Sequence, residues 1–196
     1  MKNKYVNTGR KNQKLRTREK ILKSAQEIMN KGKDFSLEDV ANNASISRAT
    51  IYRYYSNVEI LAAEAVLDFN TKSSEEIYEE VKSRELSEAI LAIQDYYNQL
   101  TEDNEAGFRK YLSVIIDAQA DKRSRGARRK NTLLLALKQK SNKLTPKERE
   151  NIANLATVLM GIEAFIVTKD VCGLNNNESK KLLKWGLEKI LKEVLK

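Results

Sequence analysis

Apolar residues recur every three or four positions along most of this chain, which is the spacing of helices that bury one face. The first such stripe predicts a helix from about Thr17, its expected N-cap, to Asn30. The stripe consists of Ile21, Leu22, Ala25, Ile28 and Met29. With one Pro and seven Gly in 196 residues, few positions would interrupt helices, so the pattern predicts an all-α protein.

Two short helical patterns with a tight turn between them follow in the sequence. The first begins after Ser36, a good N-cap, and carries a short apolar stripe. Ser45 lies in the turn, and Ser47 caps the second pattern, in which Ile51 is the inward residue. The second helix is too short to be stable alone in water, so packing must hold it.

The outward side of that second helix carries hydrogen-bond donors and aromatic rings and no acidic residue. Its outward residues are Arg48, Thr50, Arg53 and Tyr54. A helix that lies in the major groove of DNA needs such side chains. The three N-terminal helices therefore predict a helix-turn-helix DNA-binding domain over residues 17–62.

A fourth helix is predicted to begin at Asn57, because residues 56–59 have the S-x-x-E form of a capping box. It could run to about Ser83, although the polar stretch 71–76 indicates exposure or a break. This helix would link the DNA-binding domain to a C-terminal domain over residues 63–196.

Residues 86–196 predict five further helices, which would form a bundle. Ser87 is the expected N-cap of the first, and Thr145 that of the fourth, where Pro and Glu follow at the favoured first and third positions. The fourth would continue to about Val171, and Asn177 would cap the last.

The net charge of +9 is concentrated at the N-terminal end of the chain. Residues 1–57 hold 13 basic and 5 acidic side chains, and so carry +8 of that charge. A basic end on a nearly neutral body is typical of a module that binds a polyanion.

Two basic segments lie outside the helix-turn-helix pattern. Residues 1–16 hold six basic and no acidic side chains and little apolar content, so we expect a disordered arm. It is either a solvated tail or an arm that lies along DNA with Arg10 in a minor groove. The run KRSRGARRK at residues 122–130 would either bind an anion or DNA, or form a solvated helix start, as such runs more often do.

Residues 41–61 resemble the signature of TetR-family transcriptional regulators. With x for unmatched positions they read A-x-x-A-S-I-S-R-A-T-I-Y-R-Y-Y-S-N-x-E-x-L. The resemblance is specific over about residues 18–67, and the rest fits in length and helical character. Ser45 stands where the family usually has Gly, and Val58 where it usually has Lys. A non-Gly residue in the left-handed turn costs on the order of 1 kcal/mol, which packing can offset.

The resemblance implies that the second helix of the motif reads DNA. Arg48 is the expected base reader, because Arg can donate to both acceptors on a guanine edge. Ala49 would touch a thymine methyl group, and Arg53 would reach a base or a phosphate. The matching family positions imply phosphate contacts for Ser47, Thr50, Tyr52 and Tyr54.

The last two predicted helices are apolar over more than a narrow stripe, so one face can cover the body while another meets a partner chain. The resemblance implies a homodimer with a four-helix interface. The alternative is that both faces are buried within one chain. The expected interface residues are Leu155, Leu159, Ile162, Leu183, Gly186, Leu187, Ile190 and Val194.

The C-terminal half also carries aromatic residues that would suit a pocket for a small, largely apolar or aromatic ligand. The alternative is that they are ordinary core residues. The candidate pocket residues are Tyr78, Tyr96, Tyr97, Phe108, Tyr111 and Phe165.

The composition argues against catalysis and metal binding. The chain has no histidine, the commonest general base and metal ligand, and its single cysteine leaves no zinc-ligand spacing. Neither a Gly-rich phosphate loop nor a nucleophile elbow is present, so we expect no enzyme activity, metal or cofactor. Cys172 has mostly apolar neighbours and is expected to be buried and inert.

No run of 18 apolar residues occurs, so no membrane span is expected, and the basic N-terminus lacks the apolar core of a secretory signal. A single cysteine suits the cytoplasm, which is the expected location.

These observations favour a homodimeric transcriptional repressor that binds a pseudo-palindromic DNA operator and is released from it by a small-molecule effector. The alternative is a DNA-binding regulator or nucleoid-organising protein that answers to a protein partner and binds no small ligand. The third hypothesis is an enzyme fused to a helix-turn-helix domain.

Overall fold

The computed structural model describes residues 2–31, 34–69, 71–117, 127–140 and 144–195. Within these ranges the regular structure is helical and contains no strand, which confirms the all-α prediction. A π-helical segment, Val167–Val171, follows α10. The helices are α1 (Lys2–Met29), α2 (Leu37–Asn43), α3 (Arg48–Tyr54), α4 (Val58–Phe69), α5 (Ser74–Val81), α6 (Leu86–Asp103), α7 (Glu105–Asp117), α8 (Arg128–Lys140), α9 (Pro146–Val158), α10 (Ile162–Ile166) and α11 (Asn176–Val194).

The helices form two compact units. Unit 1 takes in the described residues of Met1–Asn70 and Lys110–Ser124, and unit 2 those of Thr71–Arg109 and Arg125–Lys196. The domain boundary expected after residue 62 thus falls inside α4. The part of α4 beyond that boundary belongs to unit 1, because Ala65 is fully buried in its core.

The core of unit 1 is made by the inward faces of α1 to α4. The predicted stripes of α1 and α2 supply much of it, and Ile51 anchors α3 with no exposed surface. The buried apolar side chains of this core are Ile21, Leu22, Ala25, Leu37, Val40, Ala41, Ile51, Tyr55, Ile60, Leu61 and Ala65.

Helix α1 begins at Lys2, so the helix continues through residues 2–16, where a disordered arm was expected. Thr17, the expected N-cap, lies inside the helix, and its Oγ1 donates to the carbonyl of Gln13 at 2.9 Å. Once the buried stripe anchors a helix, each added residue gains one backbone hydrogen bond, and Lys, Arg and Gln have good helix propensity. Low apolar content therefore did not prevent the extension.

The core of unit 2 lies among α5, α6, α8, α9 and α11. Fully buried aliphatic side chains form its centre, and Tyr97 is buried beside them. The largest of these buried residues are Ile77, Ile90, Ile93, Leu133, Leu137, Met160, Leu187 and Leu191.

Several helix starts differ from their predictions by one or two residues. Asn57 rather than Ser56 caps α4, since its Oδ1 accepts from the Ile60 N–H at 2.9 Å. The N-cap of α6 is Glu85 instead of Ser87. The N-cap of α11 is Asn175 instead of Asn177, because Glu178 completes a capping box with it.

Two predicted long helices are each divided. The break expected in the polar stretch after α4 is confirmed, and α5 restarts with Ser73 and Glu76 as a capping box. The helix that begins after Thr145 ends at Val158 instead of Val171. Gly161 has φ of 84° there, and a Cβ at this position would collide with the guanidinium of Arg129.

Within the described ranges, no single helix is long and apolar enough to cross a membrane. The segments Pro146–Val158 and Ile162–Val171 meet that length and composition test only together, as a pair bent by 46°.

Candidate nucleic-acid interface

The turn between α2 and α3 depends on an unusual backbone conformation. Ser45 has φ of 49°, which confirms the left-handed conformation expected at this position. The Ile46 N–H then donates to the carbonyl of Ala41 at 2.9 Å and closes the turn. The two helices therefore meet across a connection of only four residues, 44–47.

Both short helices have the serine caps that the sequence predicts. The Asp39 N–H donates to Ser36 Oγ at 3.2 Å, and the Ser36 N–H donates to Asp39 Oδ2 at 2.8 Å. The Ser36 hydroxyl also donates to Asp39 Oδ2, at 2.7 Å, and the two hydrogen bonds that Ser36 donates, first from its hydroxyl and then from its N–H, lower the pKa of the Asp39 carboxyl. At α3 the Thr50 N–H donates to Ser47 Oγ at 3.1 Å. The caps satisfy N–H groups that such short helices would otherwise leave without partners.

The outward side of α3 is open to solvent. Ile51 points into the unit 1 core, whereas the three expected base readers, Arg48, Ala49 and Arg53, are all exposed. Of the expected phosphate contacts, Ser47 and Tyr52 are exposed, and Thr50 and Tyr54 are half-buried. The Tyr54 hydroxyl donates to the carbonyl of Lys14 on α1 at 3.4 Å. Anchored on one side and polar on the other, α3 presents donors on a single outward face.

One acidic side chain contacts this face, and the sequence analysis did not find it. Glu38 Oε1, on α2, accepts from Arg48 Nη2 at 2.7 Å and from the Tyr52 hydroxyl at 2.8 Å. The hydrogen bond from Tyr52 lowers the pKa of Glu38 most, and a bond from the Glu38 backbone N–H and then the charge of Arg48 lower it further. Glu38 also raises the pKa of Tyr52. One indication of this contact was present in the sequence: Arg48 and Tyr52 lie four residues apart on α3, and both carry donors.

Unit 1 also buries an ion pair, which Tyr55 at the end of α3 contacts. Arg18 Nε and Nη2 donate to Glu64 Oε1 at 2.8 and 2.5 Å, and each residue is 8% exposed. Tyr55, which follows α3 directly, donates to Glu64 Oε2 at 3.2 Å, and Tyr111 of α7 donates to the same oxygen at 3.4 Å. Burial would lower the pKa of Arg18, but Tyr55 and Glu64 raise it above its ordinary value. Burial also raises the pKa of Tyr55.

A sequence signal for this pair was available. Glu64 follows the buried Leu61 by three positions and precedes the buried Ala65, so it lies on the inward side of α4. A carboxylate on an inward face requires a cation or several donors, and Arg18 and the two tyrosines supply them.

The described part of the basic run, residues 127–130, bonds to its own unit. Arg128 Nη1 donates to the Thr71 carbonyl at 3.2 Å, and Arg129 Nη1 donates to the Met160 carbonyl at 2.5 Å. Lys130 forms an ion pair with Glu150. Residues 122–126 of the run lie outside the described residues. The three described side chains therefore act as internal partners at the start of α8.

The candidate pocket residues are distributed between the units. Tyr97 is buried in the main core of unit 2, where its hydroxyl donates to or accepts from Thr132 Oγ1 at 2.9 Å, and Tyr78 and Tyr96 are half-buried and pack against that core. Burial raises the pKa of Tyr97 to about 12. Phe165 is fully buried in a separate small cluster of unit 2, and Phe108 is half-buried on α7. Tyr111 belongs to unit 1.

The expected interface residues of α11 fall on two adjacent stripes. Leu183 and Leu187 are 6% and 1% exposed, so they already pack inside their own chain. Gly186 and Ile190 are half-buried, and Val194 is exposed. The outer stripe is completed by Leu182, which with Val194 is 43% exposed.

A similar division holds at the end of α9. Ile162 is buried and Leu159 half-buried, whereas Leu155 and its neighbour Val158 are 44% and 67% exposed. Gln94 Nε2 donates to the carbonyls of Leu159 and Leu183 at 2.7 and 3.0 Å, which brings the end of α9 next to α11. Trp185, which the expected interface did not include, is 57% exposed.

Cys172 is exposed, whereas burial was expected, because it follows the π segment at the surface instead of continuing a long buried helix. Among the described residues, no group of three or more acidic, histidine or cysteine side chains is placed to hold a metal ion.

No protein-family model matches the chain. A search of curated proteins found no match either.

Proposed function

We propose that the protein is a sequence-specific DNA-binding regulator of transcription that acts as a homodimeric repressor of the TetR type. The observation that carries the proposal is α3. It is anchored by Ile51, joined to α2 by the left-handed Ser45, and exposes Arg48, Ala49 and Arg53 to solvent. Together α2 and α3 would act as a helix-turn-helix, with α3 as the recognition helix.

In this proposal α3 enters the major groove with its N-terminal residues toward the base edges. Arg48, the first residue of α3, would donate to O6 and N7 of a guanine, and Ala49 would contact a thymine methyl group. Ser47, Thr50 and Tyr54 would bind phosphates and set the register of the helix on the duplex.

Net charge supports a polyanionic partner, because residues 1–57 carry +8 of the chain's +9. If a dimer neutralises about eight phosphates, the logarithm of affinity falls with the logarithm of salt concentration at a slope of roughly −7. A flat salt response in a filter-binding or anisotropy titration would contradict this electrostatic part.

The homodimer is proposed from the outer apolar residues of α9 and α11. Leu155, Val158, Leu182 and Trp185 are each more than two-fifths exposed, which is unusual for side chains of this size. A second copy of the chain would cover them, and two recognition helices about 34–36 Å apart would then fit successive major grooves of a pseudo-palindrome. Trp185→Glu should shift the sedimentation coefficient to that of a monomer, whereas Lys181→Glu, an exposed control on α11, should not.

A small, largely apolar or aromatic effector is the remaining part of the proposal. It is supported by three tyrosines of unit 2: Tyr97 is buried in the core, and Tyr78 and Tyr96 pack against it. To shift a repressor from almost fully competent to almost fully released, the effector must favour the released state by about 5.5 kcal/mol. Compounds that raise the melting temperature should therefore also weaken operator binding, and stabilisers that leave it unchanged would count against effector control.

Selection of bound sequences from a random duplex pool tests the proposal directly. We expect a two-fold symmetric motif. Arg48→Ala should lose about 1–3 kcal/mol of binding free energy on that motif and accept other bases at one position of each half-site. Lys181→Ala, which removes one exposed charge from unit 2, is the matched control and should keep the motif.

Salt-sensitive binding without an enriched motif would contradict sequence reading. That result would favour the nucleoid-organising alternative, in which the basic end binds DNA of any sequence.

A further inference from the structure

Glu38 brings a negative charge to the surface that the proposed function assigns to DNA. The outward residues of α3 include no acid, yet Glu38 Oε1 from α2 accepts hydrogen bonds from two of them, Arg48 and Tyr52. The Arg48 side chain is 74% exposed and that of Glu38 is 31% exposed. A carboxylate beside DNA repels every phosphate, so its presence at this place requires a reason.

The geometry of the contact between Glu38 and Arg48 explains why a carboxylate lies there. Arg48 uses Nη2 to reach Glu38, and the guanidinium has further N–H groups that remain able to donate to a base edge. Because Tyr52 stands one helical turn after Arg48, its hydroxyl meets the same oxygen and holds the carboxylate in place. The long Arg48 side chain is thus oriented before DNA arrives, which lowers the ordering cost of binding.

We infer that Glu38 is a positioning residue that sets DNA specificity by directing Arg48 to a base edge and away from the phosphate backbone. This inference rests on the proposed function. A guanine offers two acceptors that Arg48 can reach while it stays paired with Glu38. A phosphate contact would draw Arg48 out of the pair and leave the carboxylate facing the DNA without its cation. Non-operator DNA is therefore penalised more than the operator.

The test uses Glu38→Gln in the full-length protein. Glutamine keeps the length of the side chain and an oxygen acceptor but removes the charge. With the charge gone, Arg48 is free to bind a phosphate in each subunit of the dimer. We expect affinity for scrambled duplex to rise about tenfold, and the salt slope to steepen by about 2, since each added phosphate contact contributes roughly 0.9.

Base preference is the second readout. Selection from a random duplex pool should show relaxed preference for Glu38→Gln at the same base pair that Arg48→Ala relaxes. Glu19→Gln removes the same charge from an exposed position on α1 of unit 1 and is the matched control. It should keep both the base preference and the salt slope of the wild type, because Glu19 lies on a different helix from Arg48 and its contacts.

Three outcomes separate the hypotheses. A motif for the wild type that Glu38→Gln keeps at every position, with an unchanged salt slope, overturns the inference and leaves the proposed function standing. Altered preference at a different base pair also overturns it, because Glu38 would then contact a base itself. No motif for the wild type overturns the proposed function instead.

Glu38→Ala, which removes the acceptor, serves as a second variant if thermal melting shows that Glu38→Gln does not fold. It should relax base preference at the same position.

Discussion

Unit 1 buries charge, whereas unit 2 buries neutral polar groups. In unit 1 Arg18 and Glu64 form a buried ion pair, which Tyr55 and Tyr111 complete as donors. In unit 2 the buried polar side chains of the described residues are amides and hydroxyls, such as Gln94, which bridges two carbonyls. The buried polar residues of unit 2 are Gln94, Asn98, Thr101, Thr132, Thr168 and Ser179.

The difference has a physical consequence. A buried ion pair adds little net stability, because desolvation offsets most of its attraction, but any arrangement that separates the partners is strongly disfavoured. A neutral amide costs less to bury and tolerates small shifts of its partners. Unit 1 therefore favours one arrangement of α1, α4 and the end of α3, which would suit the DNA-binding surface proposed for α3.

The largest expected effect is at the ion pair. Glu64→Gln leaves Arg18 buried without its anion and should lower the free energy of unfolding of unit 1 by about 3–5 kcal/mol. The measurement is urea denaturation followed by circular dichroism. Replacing both partners, as Arg18→Met with Glu64→Leu, should cost much less than the single change. Equal losses for the single and double variants would show that the ion pair is not the cause.

The matching change in unit 2 should have a smaller effect. Gln94→Leu leaves the carbonyls of Leu159 and Leu183 without their donor, which should cost about 1–3 kcal/mol in the same denaturation experiment. Gln139→Leu on the exposed side of α8 is the control and should stay within about 0.5 kcal/mol of the wild type. A cost for Gln94→Leu as large as that for Glu64→Gln would remove the contrast between the two units.

The turn between α2 and α3 provides a stabilising change in unit 1. Ser45→Gly relieves the left-handed strain at φ of 49° and should raise the free energy of unfolding by about 1 kcal/mol. Ser45→Ala keeps a Cβ at the same φ, so it should give no gain. Calorimetric melting of both variants checks this, and a gain from Ser45→Ala would mean that the backbone is not strained.

Acid should affect unit 2 more than unit 1, through small contributions from carboxylates that are exposed or half-buried. Hydrogen bonds or ion pairs lower the pKa of Glu38 and Asp39 in unit 1 and of a larger set in unit 2. That set is Glu76, Glu102, Glu105, Glu148 and Asp170. A carboxyl whose folded pKa is lowered contributes stability that is fully present above its unfolded pKa, about 4, and that is lost as pH falls from there through the lower folded pKa.

The loss of stability of each unit in acid can be measured by hydrogen exchange, read by mass spectrometry at pH 6 and again between pH 4 and 3. Amide protection in unit 2 should fall more than in unit 1, and Glu148→Gln should reduce the pH dependence at the start of α9. A greater loss of amide protection in unit 1 than in unit 2 would contradict the prediction.

Sequence reasoning succeeded where one local rule decided the outcome. The apolar spacing gave the helices and their inward faces, and serine, threonine and proline signals placed the starts of α2, α3 and α9. The left-handed conformation of Ser45 followed from the resemblance, because Ser45 stands where the family usually has Gly. The prediction of helix starts was less successful where two local signals competed, as at α6 and α11, whose N-caps lie two residues earlier than expected.

The sequence by itself thus determined an all-helical chain, a basic N-terminal end, and a short capped helix whose inward residue is Ile51 and whose outward residues are donors. Only the tertiary structure decided which polar groups meet, such as Glu38 with Arg48, and Arg18 with Glu64 across 46 residues of chain. It also decided which apolar stripe of α11 is covered, because Leu183 and Leu187 face the core and Leu182 does not. The reason is that periodicity shows which residues share a face, whereas pairing depends on how helices distant in sequence are packed together.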